Sequence, residues 1–338
     1  MNFQLRGFRS LPVAAQSRRH PLTQADKERL EGKMFELKRA GSLSDKDFKL
    51  IKLNMDNAYL DQIVNDNKKM SNLKFNDFKY INNMFKDNEE YADKLQVFNN
   101  AYLDQVVNDD NDKMSKLKFN DFKYINNMFK DKQEYTDKLQ AFNDAYLDQF
   151  INDDDDKMSN LEFNDFKYIN KMLVKSPHDE EKLQAFNNAY LDKLINDDDY
   201  ADKMSNLQIY DFIDINDLFT GNEEYTENLK AFNDTYLDRL TGDERKMSNL
   251  ELNDFQDINK MLVASPHDED KIKAFNDAYL DQFINNGEKL SKLLSFELKY
   301  INEAFVASPH DENKLKAFNE AYLDQFINNG EKLSKLLS

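Results

Sequence analysis

The groups in this chain best suited to chemistry recur at intervals and do not cluster. His178, His267 and His310 stand in identical Ser-Pro-His-Asp strings. Runs of aspartate precede a Ser-x-Leu-Glu-Phe string, as in 153–163, and suggest a calcium loop. An aspartate follows by two positions the tyrosine of every Ala-Tyr-Leu-Asp string or its near copy: Asp61, Asp104, Asp148, Asp192, Asp238, Asp281 and Asp324.

Calcium fails on register. An EF-hand loop places oxygen ligands at positions 1, 3 and 5, glycine at 6 and a bidentate glutamate at 12. With Glu162 at position 12, position 6 is Asp156 and position 1 is Ile151, and the copy before it carries Lys118 where Glu162 stands. The acidic runs are therefore read as solvated turns. The histidines, spread along a repeat, cannot converge on one metal or one substrate, and each is expected as a solvated residue in the first turn of a helix. Cysteine is absent, which excludes a thiolate nucleophile, a disulfide framework and a cysteine-based zinc site. No glycine-rich phosphate loop is present. Catalysis needs unlike groups meeting in one pocket, whereas repeats supply translated copies of the same group. The expectation is a chain that is not an enzyme and takes no cofactor or metal.

The aspartate row remains. Two residues along a helix turn a side chain about 200°, so these carboxylates point away from a buried tyrosine stripe. They fall in the last turns of their helices, where the dipole disfavours negative charge by some tenths of a kcal/mol. Two accounts fit. Each aspartate bonds to a lysine of the neighbouring repeat, or the row forms a ladder of carboxylates presented to a basic partner. A second row, Asn99, Asn143, Asn187, Asn233, Asn276 and Asn319, precedes the tyrosines by three. It lies beside the buried stripe and is expected to bond to the next repeat.

The elements that carry these rows are helices. Tyr59, Tyr102, Tyr146, Tyr190, Tyr236, Tyr279 and Tyr322 mark a period of about 44 residues. Each unit holds two helical patterns. The first is clearest over 158–173, where Leu161, Phe166, Ile169 and Leu173 keep one face and Ser159 with Glu162 suggests a capping box, repeated at Ser248 and Glu251. The second is clearest over 176–196, with Ser176 as expected N-cap, Pro177 in the first turn, and Leu183, Phe186, Tyr190 and Leu194 as the buried stripe. Short acidic or glycine turns join the units and make neighbouring helices antiparallel. One such hairpin cannot bury its own apolar face, so the next copy must cover it.

The fold class expected is therefore all-α, an elongated α-solenoid of about seven tandem two-helix repeats. In unit length it resembles the HEAT and armadillo repeats, in architecture only, over about residues 23–338. Armadillo-type proteins hold extended peptides with asparagine ladders and acids, and the resemblance suggests such a use, but the asparagines here lie beside the buried stripe and are expected to bond to the next repeat instead.

Composition sets the remaining bounds. The chain has 338 residues, 33% of them charged, with 26 Phe, 16 Tyr, 7 Gly and 5 Pro, which favours long ordered helices. No apolar run approaches the roughly 18 residues of a membrane span. The net charge is −18, yet residues 1–22 hold Arg6, Arg9, Arg18 and Arg19 and no acid. Residues 1–22 are read as a flexible basic segment, a targeting or secretion signal being one use of it. Residues 23–69 are read as a diverged capping unit, with Thr23 and Asp26 opening a helix that stops at Gly41, and 70–338 as the tandem hairpins. The function expected is a non-enzymatic scaffold whose acidic face takes a basic protein or extended basic peptide, in a specialised version a host-directed effector of an intracellular microbe. The AT-rich codon bias of its commonest residues motivates that version. The competing expectation is an organellar nucleic-acid-binding repeat protein. It lacks a basic track, since only Arg239 and Arg245 follow Arg39.

Overall fold

The computed structural model describes residues 24–86, 89–108, 113–152, 156–196, 204, 206–306 and 308–328. Among the described residues every regular element is helical and none is a strand. The chain divides into two compact units between Phe142 and Asn143, and each is taken by itself. The basic segment 1–22, Thr23, most of the acidic turns and the end beyond residue 328 lie outside the described residues.

The first unit contains α1 (Gln24–Arg39), α2 (Asp45–Val64), a short α3 (Asn67–Asn72), α4 (Phe75–Phe85), α5 (Ala92–Asn108) and α6 (Phe119–Phe129). Helix α7 (Thr136–Ile151) contains the junction. The second unit continues with α8 (Asp156–Ser159), α9 (Phe163–Leu173), α10 (Glu180–Asn196), α11 (Ile209–Phe219), α12 (Thr226–Gly242), α13 (Glu244–Asn249), α14 (Leu252–Ala264), α15 (Glu269–Ile284), α16 (Gly287–Lys292), α17 (Ser295–Val306) and α18 (Glu312–Asn328).

Packing follows the repeat. In the first unit α2 lies on α5, the second helix of the following hairpin. In the second unit α10 lies on α12, α12 on α15 and α15 on α18, while the first helices pair α11 with α14 and α14 with α17. Within a hairpin the two helices meet through a stacked phenylalanine and tyrosine: Phe78 on Tyr102 at 4.0 Å, Phe166 on Tyr190 at 3.8 Å, Phe212 on Tyr236 at 4.3 Å and Phe255 on Tyr279 at 3.9 Å. These rings are almost fully buried, as are Ile169, Leu173, Phe186 and Leu194 of the expected stripes; Leu183 is only half-buried. Burial of this apolar area, at about 25 cal/mol per Å², is the main force holding one hairpin to the next.

Two helix starts differ from the expectation. The pattern over 158–173 is not one helix: α8 ends at Ser159 and α9 begins at Phe163. The intervening leucine is extended in the equivalent links, with φ −70° and ψ 122° at Leu73 and φ −64° and ψ 119° at Leu250. Ser248 does not open a helix. Its hydroxyl donates to the Arg245 carbonyl at 2.9 Å in the last turn of α13. The new helix starts beyond the leucine because a carboxylate in its first turn accepts the preceding backbone N–H. Asp77 takes that of Lys74 at 3.1 Å, Asp121 that of Lys118 at 3.0 Å and Asp211 that of Gln208 at 2.9 Å.

The second correction concerns Ser176. Helix α10 begins at Glu180, and Asp179 caps it by accepting the Glu181 N–H at 2.9 Å. Asp268 caps α15 and Asp311 caps α18 in the same way, at 2.9 and 2.8 Å. All three corner serines are buried, and two of them are used between hairpins: the Ser265 hydroxyl bonds the Thr220 hydroxyl at 2.6 Å, and Ser308 bonds Asn259 and Asn276. A carboxylate is the better cap because it also meets the positive end of the helix dipole. At the chain's other end Gly41, with φ 71°, closes α1 as expected.

Candidate interaction surface

The aspartate row is built on the last turns of the second helices. In the first unit Asp61 pairs with Lys94 and Asp104 with Lys138. In the second, Asp148 pairs with Lys182, Asp281 with Lys314, and Asp238 with Lys271 at 2.6 Å. Each lysine lies 33 or 34 residues further on, eight before the next tyrosine of the row, so every pair joins consecutive hairpins. All these side chains stay more than a third exposed. Such pairs contribute about 0.2–1 kcal/mol each.

Asp192 breaks the series. The position that holds lysine elsewhere is Asn228, and its amide donates to Asn188 at 3.0 Å. Among the described residues no cation pairs with Asp192, and partial burial alone raises its carboxyl above the usual aspartate range. Asp324 is exposed at the end of α18.

The asparagines of the row from Asn99 to Asn276 are buried and reach the corner between the two helices of the next hairpin, whereas Asn319 is half-buried and pairs with Asn302. Asn99 donates to the Tyr135 hydroxyl at 3.3 Å and Asn187 to that of Tyr225 at 3.2 Å. Asn143, Asn233 and Asn276 donate instead to the carbonyls of Pro177, Pro266 and Pro309 at 2.8–2.9 Å. There are two kinds of corner. A short 3-10 turn ends in a buried tyrosine at Glu89–Tyr91, Gln133–Tyr135 and Glu223–Tyr225, and an extended Ser-Pro-His-Asp corner replaces it elsewhere. Both supply an oxygen at the same place.

A partner row on the first helices was missed by sequence reasoning. Asn216 and Asn233 exchange amide bonds at 2.9 Å each, Asn259 donates to Asn276 at 3.0 Å, and Asn302 and Asn319 exchange bonds at 2.9 and 2.8 Å. The Asn82, Asn170 and Asn216 amides also bond the carbonyl four residues back. The signal was present in the recurring Ile-Asn of the first helix.

In the first hairpin a buried ion pair takes the place of these amides. Asp56, at the asparagine position, pairs with the Lys27 ammonium at 2.8 Å and accepts from Lys52 at 3.0 Å and from the Tyr91 hydroxyl at 2.9 Å. Lys27 and Asp56 are 2% and 1% exposed, which makes this the most tightly enclosed charge pair among the described residues.

The histidines belong to the extended corners. His178, His267 and His310 are half-buried and each turns Nδ1 to the carbonyl of the serine two residues before, at 2.8–2.9 Å. They precede the helix cap and do not sit in the first turn. Among the described residues no group of three His, Asp or Glu side chains is arranged to hold a metal ion, and no helix is long and apolar enough to cross a membrane.

The rows thus give the same groups, carried from hairpin to hairpin, bonded mostly to one another. No protein-family model matches the chain, and no curated protein matches its sequence.

Proposed function

We propose that the chain is an α-solenoid of about seven tandem hairpins that works as a protein–protein interaction scaffold and not as an enzyme. Its partner is a basic protein or an extended basic peptide held against carboxylates of the Asp61, Asp104, Asp148, Asp192, Asp238, Asp281 and Asp324 row. The observation that carries the reading is the translation of one contact set from hairpin to hairpin. Asn233 and Asn276 make the same bond to successive corners and Asp238 and Asp281 the same pair with successive lysines, and Asn143 and Asp148 repeat both contacts beyond the one hairpin that departs from them. A surface made this way repeats one chemistry over a distance, which suits a long ligand and not a reacting centre.

The sign of the charge selects the partner. The chain is −18 overall, and the row's lysines neutralise five of its aspartates while Asp192 keeps its charge unpaired among the described residues. A basic segment displacing those lysines exchanges one exposed ion pair for another, at little cost, and gains long-range attraction. Titration of a Lys/Arg-rich peptide and of a single-stranded oligonucleotide, each at low and high ionic strength, tests the reading. Salt-sensitive binding of the peptide supports it. Binding of the oligonucleotide in its place transfers the function to nucleic acid.

A further inference from the structure

The aspartate row has one break inside the second unit, and it falls between two paired members. Asp148 meets Lys182 before it and Asp238 meets Lys271 after it, while Asp192 meets no cation among the described residues. The break comes from a single residue of the next hairpin. Eight positions before the following tyrosine the other hairpins hold Lys94, Lys138, Lys182, Lys271 and Lys314, and this one holds Asn228.

Asn228 does not replace the lysine. Its side chain ends at the amide on Cγ, where a lysine goes on to Nζ, and that amide donates to Asn188 at 3.0 Å. Lys230, the lysine of α12, pairs instead with Asp234 at 2.7 Å and lies 3.8 Å from Asp268. Asp192 therefore keeps a carboxylate that is exposed at its tip and partly desolvated, and burial raises it with no cation to draw it back.

The difference decides what an incoming cation gains. At Asp148 or Asp238 it takes the place of a lysine already there, so one exposed ion pair is exchanged for another and little is gained. At Asp192 the pair forms where none stood. The sister sites show that the place accepts such a group, because a lysine ammonium pairs with the aspartate in each of them. A single carboxylate suits a cationic side chain and not a divalent metal, which needs several oxygen ligands; no group of three His, Asp or Glu side chains is arranged to hold one among the described residues.

On the scaffold reading, we propose that Asp192 is the anchor of the aspartate row, where one lysine or arginine side chain of the basic peptide seats and sets the peptide's register. The peptide's other cations meet carboxylates that lysines already neutralise, so the affinity is concentrated at this one hairpin. The chain itself chooses the place, by carrying Asn228 where every other pair of the row has a lysine.

Three variants test it, and each raises the net charge by one, so a general effect of charge moves them together. Asn228→Lys restores the sister lysine beside Asn188; the fold accepts that combination, since Asn57 stands with the Asp61–Lys94 pair and Asn100 with the Asp104–Lys138 pair. Asp192→Asn removes the carboxylate itself. Asn249→Lys is the control, placed in an exposed link that carries no member of the row and holds Lys116 or Lys292 in sister hairpins. A fluorescently labelled Lys/Arg-rich peptide is titrated by anisotropy into the full chain and each variant at one ionic strength. The full chain and Asn249→Lys are expected to bind alike, with Asn228→Lys and Asp192→Asn weaker by about fivefold and all melting temperatures kept. Affinities in Asn228→Lys and Asp192→Asn equal to that of Asn249→Lys overturn the anchor and leave the scaffold reading standing. No binding by any of the four proteins overturns both.

Discussion

Asp144 accepts the backbone N–H of Asp179 at 2.7 Å, across the boundary between two hairpins. Asp234 does the same for Asp268 at 2.7 Å and Asp277 for Asp311 at 2.8 Å. Each of these acceptors stands two residues before the row's tyrosine, and each precedes an extended Ser-Pro-His-Asp corner. Before the tyrosine-ended corners the same position is Asn57, Asn100 or Asn188. The choice of Asp or Asn in one hairpin thus goes with the corner of the next. The extended corner points its cap N–H at the neighbour, and a carboxylate satisfies it; the 3-10 corner presents no such N–H.

Asp144→Ala leaves that partly buried N–H without its acceptor and is expected to lower unfolding free energy by about 1 kcal/mol. Asn100→Ala, beside a tyrosine corner, is expected to cost clearly less. Urea unfolding of the two variants checks the difference; equal losses would show that the residue does not depend on the corner.

The buried pair in the first hairpin predicts a reversal of sign. Asp56→Asn installs the residue the other hairpins carry but leaves the buried Lys27 with Glu31, 3.5 Å away, as its only acid, at an expected cost of about 3 kcal/mol. Adding Lys27→Met to it is expected to recover most of that loss. Melting temperatures of the two single variants and the double variant decide it, and a double variant no better than Asp56→Asn would contradict the account.

The carboxylates also predict a pH dependence of both signs. Asp144 is held above the usual aspartate range, by burial first and by the nearby Asp179 carboxylate, against the bond from the Asp179 N–H and the pull of Lys182 and His178. A raised acid binds its proton more tightly in the folded state, so its contribution grows as pH falls through its folded value towards about 4 and is lost as pH rises. Asp243 and Asp311 are held low by backbone N–H groups, so their contribution is present above about pH 4 and is lost in acid below it. Asp144→Asn should therefore lose ground against the parent chain as pH is lowered to about 4, whereas Asp311→Asn should flatten the acid limb below it. Melting curves across that range read both signs.

How far the sequence revealed this can be seen residue by residue. The stripes through Phe166, Ile169, Phe186 and Tyr190 were legible because helical spacing and burial follow one another directly. The caps were not. Ser176 and Asp179 both suit an N-cap, and only the fold, which buries the serine in the corner ahead of the helix and turns the Asp179 carboxylate to the Glu181 N–H, leaves the role to the aspartate. Nor could local pattern join Asp148 to Lys182, which is 34 residues distant and becomes its neighbour only once hairpins stack. The asparagines of the first helices escaped notice because an amide beside a core stripe looks like a solvated one until its partner is in place.

The aspartate row separates stability from binding. Asp148→Asn and Asp281→Asn each break one exposed ion pair and are expected to cost no more than about 1 kcal/mol, while Asp192→Asn, with no lysine opposite, is expected to cost nothing measurable. Chemical unfolding of the three single variants checks this, and a large loss at Asp192 would make it a structural residue.

The most direct measurement is calorimetric titration of a Lys/Arg-rich peptide into the parent chain and into the triple variant Asp148→Asn, Asp192→Asn, Asp281→Asn, at matched ionic strength. The scaffold account predicts clear binding by the parent, a loss of about tenfold or more in the variant, and nearly unchanged melting. Equal affinity in the two proteins, or no binding by either, would contradict it.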